Sequence, residues 1–172
     1  HMLKLTMKEK EALKRLLSSN IDFGENETVL LNLKEKLSSN GKIELFIDGA
    51  SNLQNKTAGL GGVFYQNGME LYSFAEFRPD LTNNEAEYGA LIFGLEKALE
   101  LSLNSIDIFS DSELVVRQIT GVYKVKNPRM ALLYKEVIRL LDRLDQWSIT
   151  HVRREKNTRA DELSKEGINA SK

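Results

Sequence analysis

Residues 42–51 read KIELFIDGAS, and the fold turns on them. Ile43, Phe46 and Ile47 suit a pleated surface, so residues 42–47 are expected to form a short buried strand that stops at Asp48-Gly49. An ionised carboxylate at the edge of a core is costly unless a cation or hydrogen bonds compensate it. Asp48 is therefore a candidate metal ligand. The alternative is an Asp-Gly turn closing a hairpin, and the other acids of the chain decide between the two.

Downstream, Gly59, Gly61 and Gly62 open a run over residues 63–65, and Asn67-Gly68 supplies a type I′ hairpin turn. Leu71, Ser73, Ala75 and Phe77 then alternate with Glu70, Tyr72, Phe74 and Glu76. The first three strands should form an antiparallel meander ending at Arg78-Pro79-Asp80. Thr82-Asn83-Asn84-Glu85 is a capping box that starts a helix running to about Leu101. Counted in helical steps, Glu87 shares a stripe with Leu91, Gly94, Leu95 and Ala98, so a carboxylate occupies an otherwise apolar face. The alternative for Glu87 is the favourable place of any acid near a helix N-terminus.

Residues 105–109 are a fourth strand, ending in Ser110-Asp111-Ser112. A strand that follows a crossover helix runs parallel to an earlier strand of its sheet, which would set Asp48 and Asp111 at the carboxyl ends of neighbouring strands. Ser110 or Asp111 could equally cap the next helix, residues 113–119. Residues 122–130, VYKVKNPRM, form a basic loop with one aromatic, and Pro128 opens a helix over about 129–144. Residues 147–152 make the fifth strand. The segment after it holds Arg153, Arg154 and Lys156, whose local charge suits phosphates. Asn157 is placed to cap a last helix with Asp161 near its first turn.

Upstream, residues 2–40 read as a helical hairpin. Thr6 to Glu9 is a capping box ahead of Leu13, Leu16 and Leu17, and a second helix over 28–37 aligns Leu30, Leu33 and Leu37 before Ser38-Ser39-Asn40-Gly41. Neither helix is long enough to stand alone, so these leucines should pack on the main domain, a second copy or a protein partner. The domains expected are thus 2–40, the hairpin extension, and 41–172, the catalytic domain.

Composition bounds these readings. The chain has 172 residues, 41% hydrophobic and 28% charged, enough for one good core and a small appendage. A net charge of −1 excludes a global positive field, so a nucleic acid would have to be held by local basic patches. The absence of cysteine excludes disulfides and thiolate chemistry. No apolar run reaches membrane-spanning length and the N-terminus lacks a signal-peptide core, so a cytoplasmic location is expected. His1 ahead of Met2 reads as an addition and is left out of the chemistry.

Four carboxylates, Asp48, Glu87, Asp111 and Asp161, now stand at strand ends or early helix turns. Oxygen-only ligation suits Mg²⁺ or Mn²⁺, and two such ions about 3.5–4 Å apart can clamp the attacking and leaving oxygens of a phosphodiester. The stretches FIDGAS (46–51), TNNEAE (82–87), SDS (110–112) and NTRADEL (157–163) resemble, in order and spacing, the four active-site motifs of type 1 ribonuclease H. The resemblance spans about residues 42–169. It implies an α/β, ribonuclease H-like fold: a five-stranded mixed sheet, three antiparallel then two parallel strands, with helices on both faces. It also implies an endonuclease that hydrolyses the RNA strand of RNA–DNA hybrids with two divalent ions, leaving 5′-phosphate and 3′-hydroxyl ends. Asp48, Glu87, Asp111 and Asp161 match the metal-binding acids. Thr82, Asn83 and Asn84 resemble positions that contact the hybrid, including its 2′-hydroxyls; Gly49, Ser51, Arg153, Arg154, Lys156 and Asn157 are counted with them.

Three departures from that pattern stand out. Leu53-Gln54-Asn55-Lys56 replaces the family's Gly-Asn-Pro-Gly turn. The long basic, Trp-rich handle of some bacterial members is absent, with only the loop at 122–130 in its place. Plain counting puts His151 ten residues before Asp161, where some members carry a mobile loop histidine; a continuous strand over 147–152 instead leaves His151 on the strand, as in short-loop members without that histidine. We favour the strand, which leaves Glu155 as a nearby group for product release. A binding module with a vestigial site and a transposase-type strand-transfer enzyme use the same fold, but all four acids are present and there is little room for further domains.

Overall fold

The computed structural model describes residues 5–38 and 43–170, with the backbone alone for residue 32 and residues 34–38. The chain divides into two compact units, His1–Gly41 and Lys42–Lys172. In the first, α1 (Met7–Leu17) and α2 (Glu27–Ser38) pack on each other. The capping box forms: Thr6 accepts from the Glu9 amide and Glu9 accepts from the Thr6 amide. Leu17 is buried and Leu13, Leu30 and Leu33 are half-buried, whereas Leu16, expected on the inward stripe, is 49% exposed. The side chain of Leu37 lies outside the described residues.

The second unit holds β1 (Ile43–Asn52), β2 (Thr57–Gln66), β3 (Met69–Pro79), α3 (Asn83–Glu100), β4 (Ser105–Ser110), α4 (Glu113–Ile119), α5 (Pro128–Leu141), β5 (Gln146–His151) and α6 (Thr158–Asn169). The sheet order is β3-β2-β1-β4-β5, with β1–β2 and β2–β3 antiparallel and β1–β4 and β4–β5 parallel. Asn67 and Gly68 both have positive φ, 52° and 79°, as a type I′ turn requires. Pro128 occupies the first turn of α5, and Asn127 caps it by accepting from the amides of Arg129 and Met130.

β1 does not stop at Asp48. Its ladder with β2 continues to Asn52↔Thr57, because β2 offers an antiparallel partner all the way. The parallel ladder with β4 does end at Ile47↔Ser110. Asp48 is therefore mid-strand on one side and, on the other, the first residue beyond the parallel pair.

The alternation of β1 sorts its residues between two helical layers. Ile43, Leu45, Ile47 and Gly49 face α3, and a Cβ on Gly49 would fall 2.1 Å from the Ala86 carbonyl carbon. Asp48 and its neighbour Gly61 face α6, where a Cβ on Gly61 would fall 2.4 Å from the Ser164 amide nitrogen. The core is formed by the α3-facing strand residues with Tyr88, Leu91, Leu95, Val137, Leu140 and Leu141. Burying that many aliphatic side chains, each contributing about 1.5–3 kcal/mol, fixes the register of β1 and with it the placement of Asp48 and Gly49 on opposite faces.

Candidate active site

Three acids converge where the parallel ladder ends. Asp48 on β1, Glu87 near the start of α3 and Asp111 immediately after β4 each offer one carboxylate oxygen, and these atoms all lie within 4.8 Å of one another. Asp48 is only 4% exposed, and Glu87 and Asp111 are half-buried. Neither Asp111 nor Glu87 is spent on a helix cap. Ser112, not Asp111, caps α4 by accepting from the Val115 amide, and Glu85, not Glu87, completes the capping box with Thr82.

Electrostatically the cluster is unfinished. Burial, followed by the charges of Asp48 and Asp111, pushes the Glu87 carboxyl well above its ordinary range, against a hydrogen bond from the Gly49 amide. Burial also raises Asp48, with Asp111 and Asp161 adding to the shift and a hydrogen bond from Ser164 opposing it. Oε2 of Glu87 and Oδ2 of Asp111 are buried without a hydrogen-bond partner. Buried carboxylate oxygens left bare are expensive, and a hard divalent cation satisfies this all-oxygen set. The residues present thus fit a hard divalent cation. Asp161 stands outside the three-carboxylate cluster: it lies in the first turn of α6, 2.7 Å from Lys165 Nζ.

Beside the acids runs a groove lined by Asn83, Asn84, Glu87, Asp111, Ser112, His151, Arg153, Arg154 and Glu155. Asn83 is oriented by Ser51, whose amide and hydroxyl both donate to Asn83 Oδ1 at 3.1 and 2.8 Å. Both oxygen lone-pair directions being taken, the NH₂ of Asn83 is the group left to bond elsewhere.

Residues 46–167 match the family model described as reverse transcriptase-like. Ribonuclease HI of Halobacterium salinarum is 36% identical over 129 residues, 74% of this chain and 65% of that protein. Its crystal structure superposes with a TM-score of 0.72 at 35% identity, covering 75% of this chain and 98% of the crystallised one. LC11-RNase H1, solved in complex with an RNA/DNA hybrid, gives a TM-score of 0.71 at 35% identity, covering 76% and 99%. The chain belongs to the type 1 ribonuclease H family. A bifunctional protein of Mycobacterium tuberculosis is 33% identical over 76% of this chain. The chain spans 65% of the length of the Halobacterium protein and 36% of the mycobacterial one.

Measured against the family motifs, the remaining residues fall into three groups. Thr82, Asn83, Asn84, Arg153 and Arg154 are exposed, and all but Thr82 line the ribonuclease H groove. Lys156 lines a separate depression with Phe46, Tyr65 and Arg159, apart from Arg153 and Arg154. Two residues assigned to the hybrid make contacts inside the fold. Gly49 is buried against the α3 backbone, where any side chain would collide, and its amide serves Glu87. Asn157, 1% exposed, does not cap α6 with its side chain; it donates to the Ile47 carbonyl at 2.8 Å and so pins the loop before α6 to β1 next to Asp48.

His151 is the last residue of β5, paired with Ser110, as the continuous-strand reading has it. It is nevertheless exposed and lines the groove, so its replacement should cost little stability. Two contacts were absent from the sequence reading. Arg129 reaches the buried Glu85 at 2.9 Å and ties the start of α5 to the first turn of α3. Ser164, fully buried on α6, donates to Asp48 Oδ2 at 2.6 Å. For Ser164 a cue existed: it follows Asp161 by three residues and so shares its helix face. For the Arg129–Glu85 pair the sequence carries none.

Proposed function

We propose that this chain is an endonuclease that hydrolyses the RNA strand of RNA–DNA hybrids with two divalent ions, Mg²⁺ or Mn²⁺, held by Asp48, Glu87, Asp111 and Asp161. The products are 5′-phosphate and 3′-hydroxyl ends. The observation that carries this reading is the convergence of Asp48, Glu87 and Asp111 with two buried oxygens left unpartnered beside an exposed Asn- and Arg-lined groove. When bound, the ions supply Lewis-acid stabilisation of the scissile phosphate and its leaving oxygen.

The chain's own residues bind and orient. Asn83, held by Ser51, presents donors to acceptors of the hybrid, and 2′-hydroxyl oxygens and the minor-groove edges of bases are such acceptors. Asn84 stands next to it on the same rim. Arg153 and Arg154 line the same groove, and their charge suits phosphates. A cytoplasmic location is part of this proposal; as a separate observation, among the described residues no helix is long and apolar enough to cross a membrane.

The test is a labelled RNA–DNA hybrid incubated with Mg²⁺, and separately with Mn²⁺, beside a DNA duplex of the same sequence. The hybrid should be cut in its RNA strand and the DNA duplex left whole. Equal cutting of both points to another nuclease class. Replacing Asn83 and Asn84 together by Ala should raise KM more than it lowers kcat.

The separation of the basic residues gives a second expected result. Changing Arg153 and Arg154 to Ala should weaken hybrid binding and lessen the salt slope by roughly one unit per lost phosphate contact. Lys156→Ala, outside the groove, should leave the slope unchanged. Binding titrations at several salt concentrations check both, and an unchanged slope in the double Arg variant returns that segment to a solvated loop.

A further inference from the structure

Ser164 projects from α6 toward the acids although no motif includes it. Its hydroxyl lies 2.6 Å from Asp48 Oδ2 and 2.8 Å from the Asp161 carbonyl oxygen. It has one hydrogen to give. The ionised carboxylate is the stronger acceptor, so the hydrogen belongs to Asp48. Ser164 is fully buried, so water does not compete for it.

The approach of α6 is itself built for this contact. Gly61 is the register partner of Asp48, and a Cβ there would fall 2.4 Å from the Ser164 amide nitrogen and 2.5 Å from the Ala160 carbonyl oxygen. A bare backbone at Gly61 thus admits the helix close enough for a side chain as short as serine to reach the neighbouring strand. The next residue, Lys165, holds the Asp161 carboxylate at 2.7 Å. Two successive residues of α6 therefore grip two of the four acids.

We infer that Ser164 is a positioning residue for metal binding: by donating to Asp48 Oδ2 it fixes the plane of the carboxylate that, with Glu87 and Asp111, would hold a divalent ion. This rests on the metal-dependent reading above and adds a group to it. Partners that orient a metal-binding side chain typically contribute ten- to a hundredfold in metal affinity or activity.

The experiment compares the full chain with Ser164→Ala and Ser164→Cys. Alanine removes only the hydroxyl from a helix interior, and cysteine fills the site with a somewhat larger group that is a poor donor. Mn²⁺ affinity is measured by titration calorimetry without nucleic acid, alongside kcat and KM for hybrid cleavage and a melting curve. Both variants should bind Mn²⁺ about ten- to a hundredfold more weakly. Their kcat at low Mn²⁺ should fall in proportion and recover as Mn²⁺ is raised, with KM for the hybrid unchanged. A folded variant that binds Mn²⁺ like the wild type overturns the role of Ser164, as does a change confined to KM. A wild type that binds Mn²⁺ but does not cut the hybrid overturns the nuclease reading alone, and the affinity comparison still decides Ser164.

Discussion

Asp48→Asn should lower hybrid cleavage by about a thousandfold or more and, in metal-free protein, raise the melting temperature. The first effect follows from the several kcal/mol of transition-state charge stabilisation a bound ion supplies, with each 1.36 kcal/mol worth about tenfold. Asparagine keeps the volume and an oxygen for Ser164, but it removes the charge that draws a cation to Glu87 and Asp111. Hybrid binding through Asn83, Asn84 and Arg154 should persist.

The second effect is a matter of sign. Burial and neighbouring acids raise the carboxyls of Asp48 and Glu87 in the folded state. An acid whose folded pKa is raised favours the fold while protonated, and it loses that advantage as pH climbs from the ordinary carboxylate range, about 4, through its raised value. Metal-free wild type should therefore lose stability as pH rises above about 4, and Asp48→Asn should lose less. Added Mn²⁺ reverses the slope, since it favours the ionised forms. Melting curves across pH, with chelator and with Mn²⁺, measure all of this. Full activity in Asp48→Asn, or a metal-free variant less stable than wild type at neutral pH, contradicts the account.

Much of this site was legible because its chemistry is carried by local signals. Capping boxes at Thr6 and Thr82 and the Asn67-Gly68 turn each form as their residues require. The stripe count that set Glu87 on the inward face of α3 needed only the helical period. What the sequence hid was pairwise and long-range. Asn157 looked like a cap, yet its amide is spent on Ile47, 110 residues away in sequence. Asp48 looked like a strand end because Asp-Gly is a turn signal, but continued pairing with β2 overrides it. Arg129 read as the end of a basic loop and the start of a helix, and only the fold brings it to Glu85. Glycine was the most underread residue: a run of glycines announces a strand opening, but not which of them a helix backbone will press against.

That last point yields the largest stability effect. Gly59→Ala should destabilise the second unit by about 3 kcal/mol or more, at the upper end of what overpacking costs. A Cβ on Gly59 would stand 1.8 Å from the Ser164 carbonyl oxygen and 2.6 Å from the Ile168 amide nitrogen. Both are backbone atoms of α6, so no rotamer change relieves the clash; the helix must lift from β2 or β2 must bend. Gly68 and Gly121 offer the control. They have φ of 79° and 82° with open space where a Cβ would go, so Gly→Ala there meets conformational strain alone, about 1 kcal/mol. In melting experiments each kcal/mol corresponds to roughly 3–5 °C at this size, so Gly59→Ala should melt about 10 °C or more below wild type and the turn variants only a few degrees below. Lifting α6 also withdraws Ser164 from Asp48. Mn²⁺ affinity should therefore fall in Gly59→Ala even well below its melting point, while Gly68→Ala binds normally. If Gly59→Ala melts with Gly68→Ala and binds Mn²⁺ like wild type, α6 does not press on β2 closely enough to hold the acids.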